Sequence, residues 1–568
     1  MSRAIVLGAA LYFGLANCYS NSSAPTVEVK NGSYYGVHSA EYNQDFFLGI
    51  PYAQPPVGSL RFRNPVSLNE SWNDAKAATQ YSSECYGYGS DQWNYAVSED
   101  CLYVNVIRPA GFENQKLPVA FWIHGGGFFE GGGIDQRYNL SFTVENSVKI
   151  GKPIIGVSIN YRLSAWGFLS GSKEVQDNNA LNLGLKDQRL ALEWVQDNIE
   201  AFGAGDAEKV TIYGESAGGA SVGFHLTAYG GRDDKLFRGA IMQSGNPINF
   251  GVLKNPLSNA DWYNELVRRT SCGNSSSTFE CLRQLPAEQL NTAINTTSPA
   301  SNLSIIQFMP VLDYDFIKKP TSLQLKAGDY VKVPIISGAN SDEGSAFGPS
   351  PVETTEDFYR YMTSSGRGNV PPALAKQLLE AYPDDPSVNV IANLGNSRPG
   401  PPFGAQFRRS ASYFGDMVFI ANRRLTCETW AAAGLSAYCY RFNAIPAGLP
   451  PTIGVTHFQE VAFVFLNLEG RGYVPAAVPP FTNKSESYRD LARFMNSNWV
   501  SFVHDLDPNA WRENNAWNGT EALWPKYDVA NPLDIVFDAN VSSHTEPDTY
   551  RKKGMELINA NNYEVFNR

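Results

Sequence analysis

Few folds accommodate residues 210 to 229 of this 568-residue chain. The apolar run Val210-Thr211-Ile212-Tyr213 reads as a buried strand and Ala217 to Tyr229 as a helix, and only Gly214-Glu215-Ser216-Ala217-Gly218 lies between them. A strand that turns straight into a helix demands small flanking residues, because a side chain at either glycine would collide with the adjoining element. Such a turn pushes the central hydroxyl outward, which makes Ser216 a candidate nucleophile. The pentapeptide alone would carry little weight in a chain with 49 glycines; its strand-to-helix setting gives it meaning.

Further strand candidates recur along the chain: Val119 to Ile123, Ile154 to Asn160, Ala240 to Gln243, Val333 to Ser337 and Ala437 to Arg441. Helical patterns lie between them. The clearest is Asp187 to Ile199, with Leu190, Ala191, Trp194 and Val195 on one face. Strand alternating with helix implies an α/β fold, a mostly parallel central sheet flanked by helices with large loop insertions. Neither a repeat nor a low-complexity linker divides the chain, so residues 19–568 are expected to form one domain.

The opening residues have one arginine, an apolar stretch from Ala4 to Ala16 too short to span a bilayer, and small residues after it. Residues 1–18 are expected to be a secretory signal peptide, with cleavage between 16 and 20 deciding whether Cys18 is retained. No later stretch reads as a membrane anchor, and the formal charge of −11 argues against nucleic acid as a partner. Secretion fits the ten N-x-S/T sequons at Asn21, Asn31, Asn69, Asn139, Asn274, Asn295, Asn302, Asn483, Asn518 and Asn540. It also fits six cysteines beyond Cys18. Six cysteines admit many pairings; joining neighbours, Cys85 with Cys101, Cys272 with Cys281 and Cys427 with Cys439, is the economical one. A closed loop of about 15 residues stabilises by ~3 kcal/mol in the chain-entropy model. Cys439 falls inside an expected strand, which leaves its pairing open.

An attacking serine needs a base, a group to orient the base, and donors for the oxyanion. Of six histidines, His124 precedes a glycine run, His225 lies in the helix after Ser216, His38 is N-terminal, and His504 and His544 sit among charged, turn-rich residues. His457 remains, in a loop after the last expected strand. The acid should leave a strand end between serine and histidine, and either Asp342 or Glu343 after Val333 to Ser337 could serve. Phe121-Trp122-Ile123-His124-Gly125-Gly126-Gly127-Phe128 is a strand running into three glycines, whose bare backbone can turn N–H groups toward a developing negative charge.

With these pieces in place, the sequence resembles the type-B carboxylesterase/lipase family, the α/β-hydrolases that include cholinesterases and large secreted fungal lipases. The resemblance runs from Phe47 to about Leu506. It is carried by Phe47-Leu48-Gly49-Ile50-Pro51-Tyr52-Ala53, Ser98-Glu99-Asp100-Cys101-Leu102-Tyr103-Val104-Asn105-Val106, Asn160-Tyr161-Arg162-Leu163 and the serine turn. It implies the α/β-hydrolase fold and a serine carboxylic-ester hydrolase working through an acyl-enzyme, with no metal or organic cofactor and a small-molecule or lipid ester as its partner. Carried over by motif, Ser216 is the nucleophile, Glu343 rather than Asp342 the acid and His457 the base, with the N–H groups of Gly126, Gly127 and Ala217 as the oxyanion hole. Cys85 with Cys101 and Cys272 with Cys281 match two family disulfides.

Trp93 resembles the loop tryptophan that holds choline in cholinesterases, but the loop around it differs in length, and an ordinary half-exposed tryptophan in a disulfide loop is the stronger explanation. Phe128, Phe129, Phe347, Phe463 and Phe465 are candidates for an apolar acyl pocket or for the core. Two departures stand out. Phe202-Gly203-Ala204-Gly205-Asp206 is one residue longer than the family's usual turn. The Cys85 to Cys101 loop is also shorter than the flap of the interfacial fungal lipases, which favours soluble or small-acyl esters over emulsified triglycerides. The alternatives are a triacylglycerol lipase or sterol esterase acting on insoluble esters, and a non-catalytic cholinesterase-like binding protein.

Overall fold

The computed structural model describes residues 24–568 apart from 249, 296–307, 365–368, 389–393, 476 and 515–518. The expected signal peptide, Cys18 and the sequons at Asn21, Asn302 and Asn518 lie outside the described residues.

Among the described residues, eleven strands form the main sheet. In chain order they are β1 (Val37–Ser39), β2 (Gln44–Pro51), β3 (Tyr103–Pro109), β4 (Leu117–Ile123), β5 (Ile155–Ile159), β6 (Gly205–Glu215), β7 (Gly239–Gln243), β8 (Ile335–Asn340), β9 (Ala437–Phe442), β10 (Leu533–Phe537) and β11 (His544–Pro547). Their spatial order is β11-β10-β9-β8-β7-β6-β4-β5-β3-β2-β1. From β10 to β5 every pairing is parallel, and antiparallel strands close both edges.

The central strands carry apolar runs because both of their faces are covered there. All seven residues of β4 are buried. Val119, Phe121 and Ile123 join one core with Leu192 and Val195 of α1 (Leu183–Asn198) and Val222, Phe224 and Leu226 of α2 (Ala217–Gly231). Ala120 and Trp122 face the other way, into a core with Leu491, Trp499 and Val503 of α3 (Glu486–Asp505). The period-two alternation of a strand thus divides one run of apolar residues between two layers.

The expected parallel sheet and its flanking helices are present. The extra residue in the 202–206 turn is absorbed locally: Gly205 pairs with Leu117, and a register shift precedes the Val210–Val119 pair. All three neighbouring cysteine pairs are disulfides, including Cys427–Cys439, which ties a buried helix to β9. Asn69, Asn274, Asn295, Asn483 and Asn540 are exposed, and Asn31 is half-buried, its amide donating to the carbonyls of Leu68 and Glu70. Asn139 is a correction to the expected glycan sites. Its side chain is buried and caps a helix by accepting from Ser141 N–H at 3.0 Å, so the amide is already used.

Candidate active site

Ser216 occupies the turn between β6 and α2 with φ 57° and ψ −120°, a conformation L residues rarely adopt. Both flanking glycines are required by close approach. A Cβ on Gly214 would lie 2.5 Å from the backbone of Gly218, and one on Gly218 would lie 2.0 Å from the Ile123 carbonyl oxygen. The end of β7 holds the turn in place, since Ser216 N–H donates to the Gln243 carbonyl at 2.9 Å.

The next residue of that strand end, Ser244, donates its hydroxyl to Glu343 Oε1 at 2.5 Å. Glu343 Oε1 also accepts from Asn340 N–H at 2.8 Å, and Oε2 lies 2.7 Å from His457 Nδ1. Glu343 is therefore the carboxylate brought to the imidazole. Asp342 does something else: its Oδ2 accepts from Val455 N–H at 2.8 Å, and its own N–H donates to the Val455 carbonyl at 2.9 Å. With Asn340, whose amide donates to Thr456 O and to Glu460 Oε2 at 2.8 Å each, it docks the histidine loop onto the loop after β8.

The His457 ring stacks on Phe419 at 4.8 Å, with Phe347 edge-on at 4.9 Å. Its Nε2 lies 3.2 Å from Glu215 Oε1, an ion-pair contact without hydrogen-bond alignment. Burial pulls the imidazole pKa down, but the carboxylates of Glu215 and then Glu343 outweigh it and hold the ring up at about 9. Burial raises Glu215 well above the usual carboxylate range, partly offset by His457. Glu215 is the site residue that the sequence reading missed, although its place beside the serine was a signal for it.

Gly126 and Gly127 have φ of 87° and 60°, where a glycine is favoured. They line one cavity of about 490 Å³ together with Ser216, Glu215 and His457. Gly125 packs beneath, where a Cβ would come within 3.1 Å of Ser216 Cβ. Ala217 opens α2, so its N–H has no helical carbonyl one turn back. His124, stacked on Tyr161 at 4.4 Å, is fully buried, and that burial lowers its pKa to about 3. It supports the glycine run as a neutral ring.

Much of the cavity wall is apolar, with Phe129, Phe250, Phe347, Met417 and Phe419 among its residues, and Asp91, Glu130, Arg137 and Arg568 also line it. Of the aromatic candidates, Phe347 lies on this wall; three others are corrections. Phe128 has φ 65°, which turns its side chain back into the core against Phe168, Phe224 and Phe250. Phe463 is buried with Phe442 and Phe481. Trp93 is 63% exposed and borders a neighbouring hollow with Tyr95 and Tyr473 instead.

The sequence pattern of the carboxylesterase family matches residues 23–551. The chain belongs to the carboxylesterase family. This carboxylesterase is similar to "Secreted lipase 1" of Botryotinia fuckeliana, at 33% identity over 540 residues, covering 89% of this chain and 88% of that protein. It is similar also to "Secreted triacylglycerol lipase LIP1" of Gibberella zeae, 31% identical, with coverage of 94% and 90%. Among solved structures it superposes on Aspergillus niger EstA with a TM-score of 0.80 at 28% identity, covering 95% of this chain and 99% of that one. The Geobacillus stearothermophilus carboxylesterase EST55 gives 0.70 at 28% identity, with coverage of 93% and 99%. The fold is that of the α/β-hydrolases, and the protein is a carboxylic ester hydrolase. Among the described residues no helix is long and apolar enough to cross a membrane.

Proposed function

We propose that this carboxylesterase works by acyl transfer through Ser216, His457 and Glu343. His457 Nε2 takes the Ser216 proton as Oγ attacks the ester carbonyl, and the N–H groups of Gly126, Gly127 and Ala217 hold the oxyanion. The alcohol leaves with the proton from His457. Water, deprotonated by the same nitrogen, then cleaves the acyl-enzyme and releases the acid. The observation that carries this reading is the shared cavity of Ser216 and His457, with Glu343 2.7 Å from the imidazole's other nitrogen. The three disulfides and the names of the secreted relatives support secretion.

Soluble esters are the favoured substrates over emulsified fat. The Cys85–Cys101 loop is latched to the loop after the glycine run: Tyr88 N–H donates to Phe129 O at 2.8 Å, Asp91 N–H to Glu130 Oε2 at 3.1 Å, and Gln92 exchanges two hydrogen bonds with Gly131. A loop so tied gains little by opening at an oil surface. The relatives' names, which include triacylglycerol lipase, favour the second reading, a lipase.

Hydrolysis of p-nitrophenyl esters from acetate to palmitate, beside Ser216→Ala, tests both. Short-chain turnover lost in the variant is the expected result. A long-chain maximum with a rate jump above the solubility limit would establish the lipase, and unaltered turnover in the variant would overturn the assignment of Ser216.

A further inference from the structure

The wall of the Ser216 cavity includes a cation that ester hydrolysis does not use. Arg568 lines that cavity beside Met417 and Phe566 and is 1% exposed. Its Nε donates to Asn562 Oδ1 at 2.8 Å, Nη1 reaches only the Met417 sulfur at 3.9 Å, and Nη2 has no hydrogen-bond partner. The guanidinium carbon lies 5.0 Å from the Phe566 ring centre.

Other buried arginines of the protein are provided for. Arg61, Arg162, Arg423 and Arg551 each pair with a carboxylate. Arg408 and Arg409 donate to several backbone carbonyls. Among the described residues Arg568 has neither arrangement. Burial lowers its pKa to about 9, which leaves it charged at neutral pH. A buried charge with one neutral acceptor is costly unless an anion joins it, and a guanidinium matches the two oxygens of a carboxylate.

We propose that Arg568 receives a free carboxylate at the far end of a bound ester, so that the cavity selects esters carrying one carboxylate arm. The proposal rests on the ester-hydrolase reading above. Two substrate types share this chemistry: half-esters of dicarboxylic acids, with the charge on the acyl arm, and esters of hydroxy acids, with the charge on the alcohol arm. In either, water cleaves the acyl–oxygen bond and no further reactant is needed.

The test measures kcat/KM for monobutyl esters of straight-chain diacids, for butyrate esters of ω-hydroxy acids, and for neutral butyl alkanoates of matched length. The native protein is compared with Arg568→Met and Arg568→Lys. One charged series is expected to exceed its neutral match by about tenfold or more at one chain length, which reports the span from Ser216 to Arg568. Arg568→Met is expected to erase that excess, so that charged and neutral esters of matched length react alike, and Arg568→Lys to keep part of it. The series that responds identifies the arm. Absence of any charged preference in the native protein would overturn the proposal, even if Arg568→Met fails to fold. So would a preference that survives in a folded Arg568→Met.

Calorimetric titration of Ser216→Ala with the half-esters and with the hydroxy-acid esters separates the two readings. Binding that depends on Arg568 upholds the carboxylate site whether or not the native protein turns the ester over. Turnover of neutral esters with no carboxylate-dependent binding leaves the hydrolase and removes the site.

Discussion

Glu215 and Glu343 approach one imidazole from its two nitrogens, at 3.2 Å and 2.7 Å, and each carboxylate, when ionised, favours its protonated form. A base works only when neutral, so a ring held at about 9 implies a rate that climbs with pH toward that value. In Glu215→Gln the neutral amide no longer raises the ring's pKa, so the rising limb of kcat/KM is expected to move to lower pH by about one unit. A pH–rate profile of both proteins measures it, and an unmoved limb would remove Glu215 from the titration. Spacing alone left Asp342 and Glu343 equivalent, because adjacent residues at a strand end differ only in where the turn aims them. Their variants are expected to differ widely. Glu343→Gln should lose about 10³- to 10⁴-fold in kcat, as expected when the orienting carboxylate is lost, whereas Asp342→Asn, which retains an acceptor for Val455 N–H, should stay within about tenfold.

Among the elements, the serine turn was the most legible because its sterics act over five consecutive residues. Gly218→Ala places a methyl carbon 2.0 Å from the Ile123 carbonyl, and backbone cannot rotate away as a side chain can. Displacement of the turn is expected to cost about 100-fold in activity, measurable on p-nitrophenyl acetate with circular dichroism as the control for folding. The strands from Val119, Val210, Ala240 and Ala437 were readable as buried apolar runs. The expected strand at Val333 begins instead at Ile335, since Pro334 has no N–H to give a ladder. Less was legible in the cavity wall. Phe250, Phe419 and Arg568 meet there from far-separated parts of the chain, and no local period announces such a meeting. Phe128 and Phe129 differ by one position, and only a backbone angle decides which of them faces the cavity.

For the whole molecule, Glu84 gives stability a pH slope. It is fully buried, and that burial, with the charges of Asp135 and Asp91, lifts its pKa to about 9. A carboxyl that stays protonated when folded but ionises when unfolded favours the unfolded chain increasingly as pH rises from about 4.5 to about 9. Glu84→Gln is expected to raise stability at pH 7 to 8 by on the order of 2 kcal/mol and to change little below pH 4.5, read from denaturant midpoints at each pH. An equal gain at every pH would assign the effect to packing alone.

The grip of β7 on both halves of the site has a thermal consequence. One dipeptide, Gln243-Ser244, fastens the Ser216 turn through a carbonyl and Glu343 through a hydroxyl, at the end of a fully buried strand. Outer helices can fray without altering the span between serine and carboxylate, because both are measured from the same strand end. On slow warming, activity is expected to disappear together with the cooperative unfolding of the sheet rather than some degrees before it.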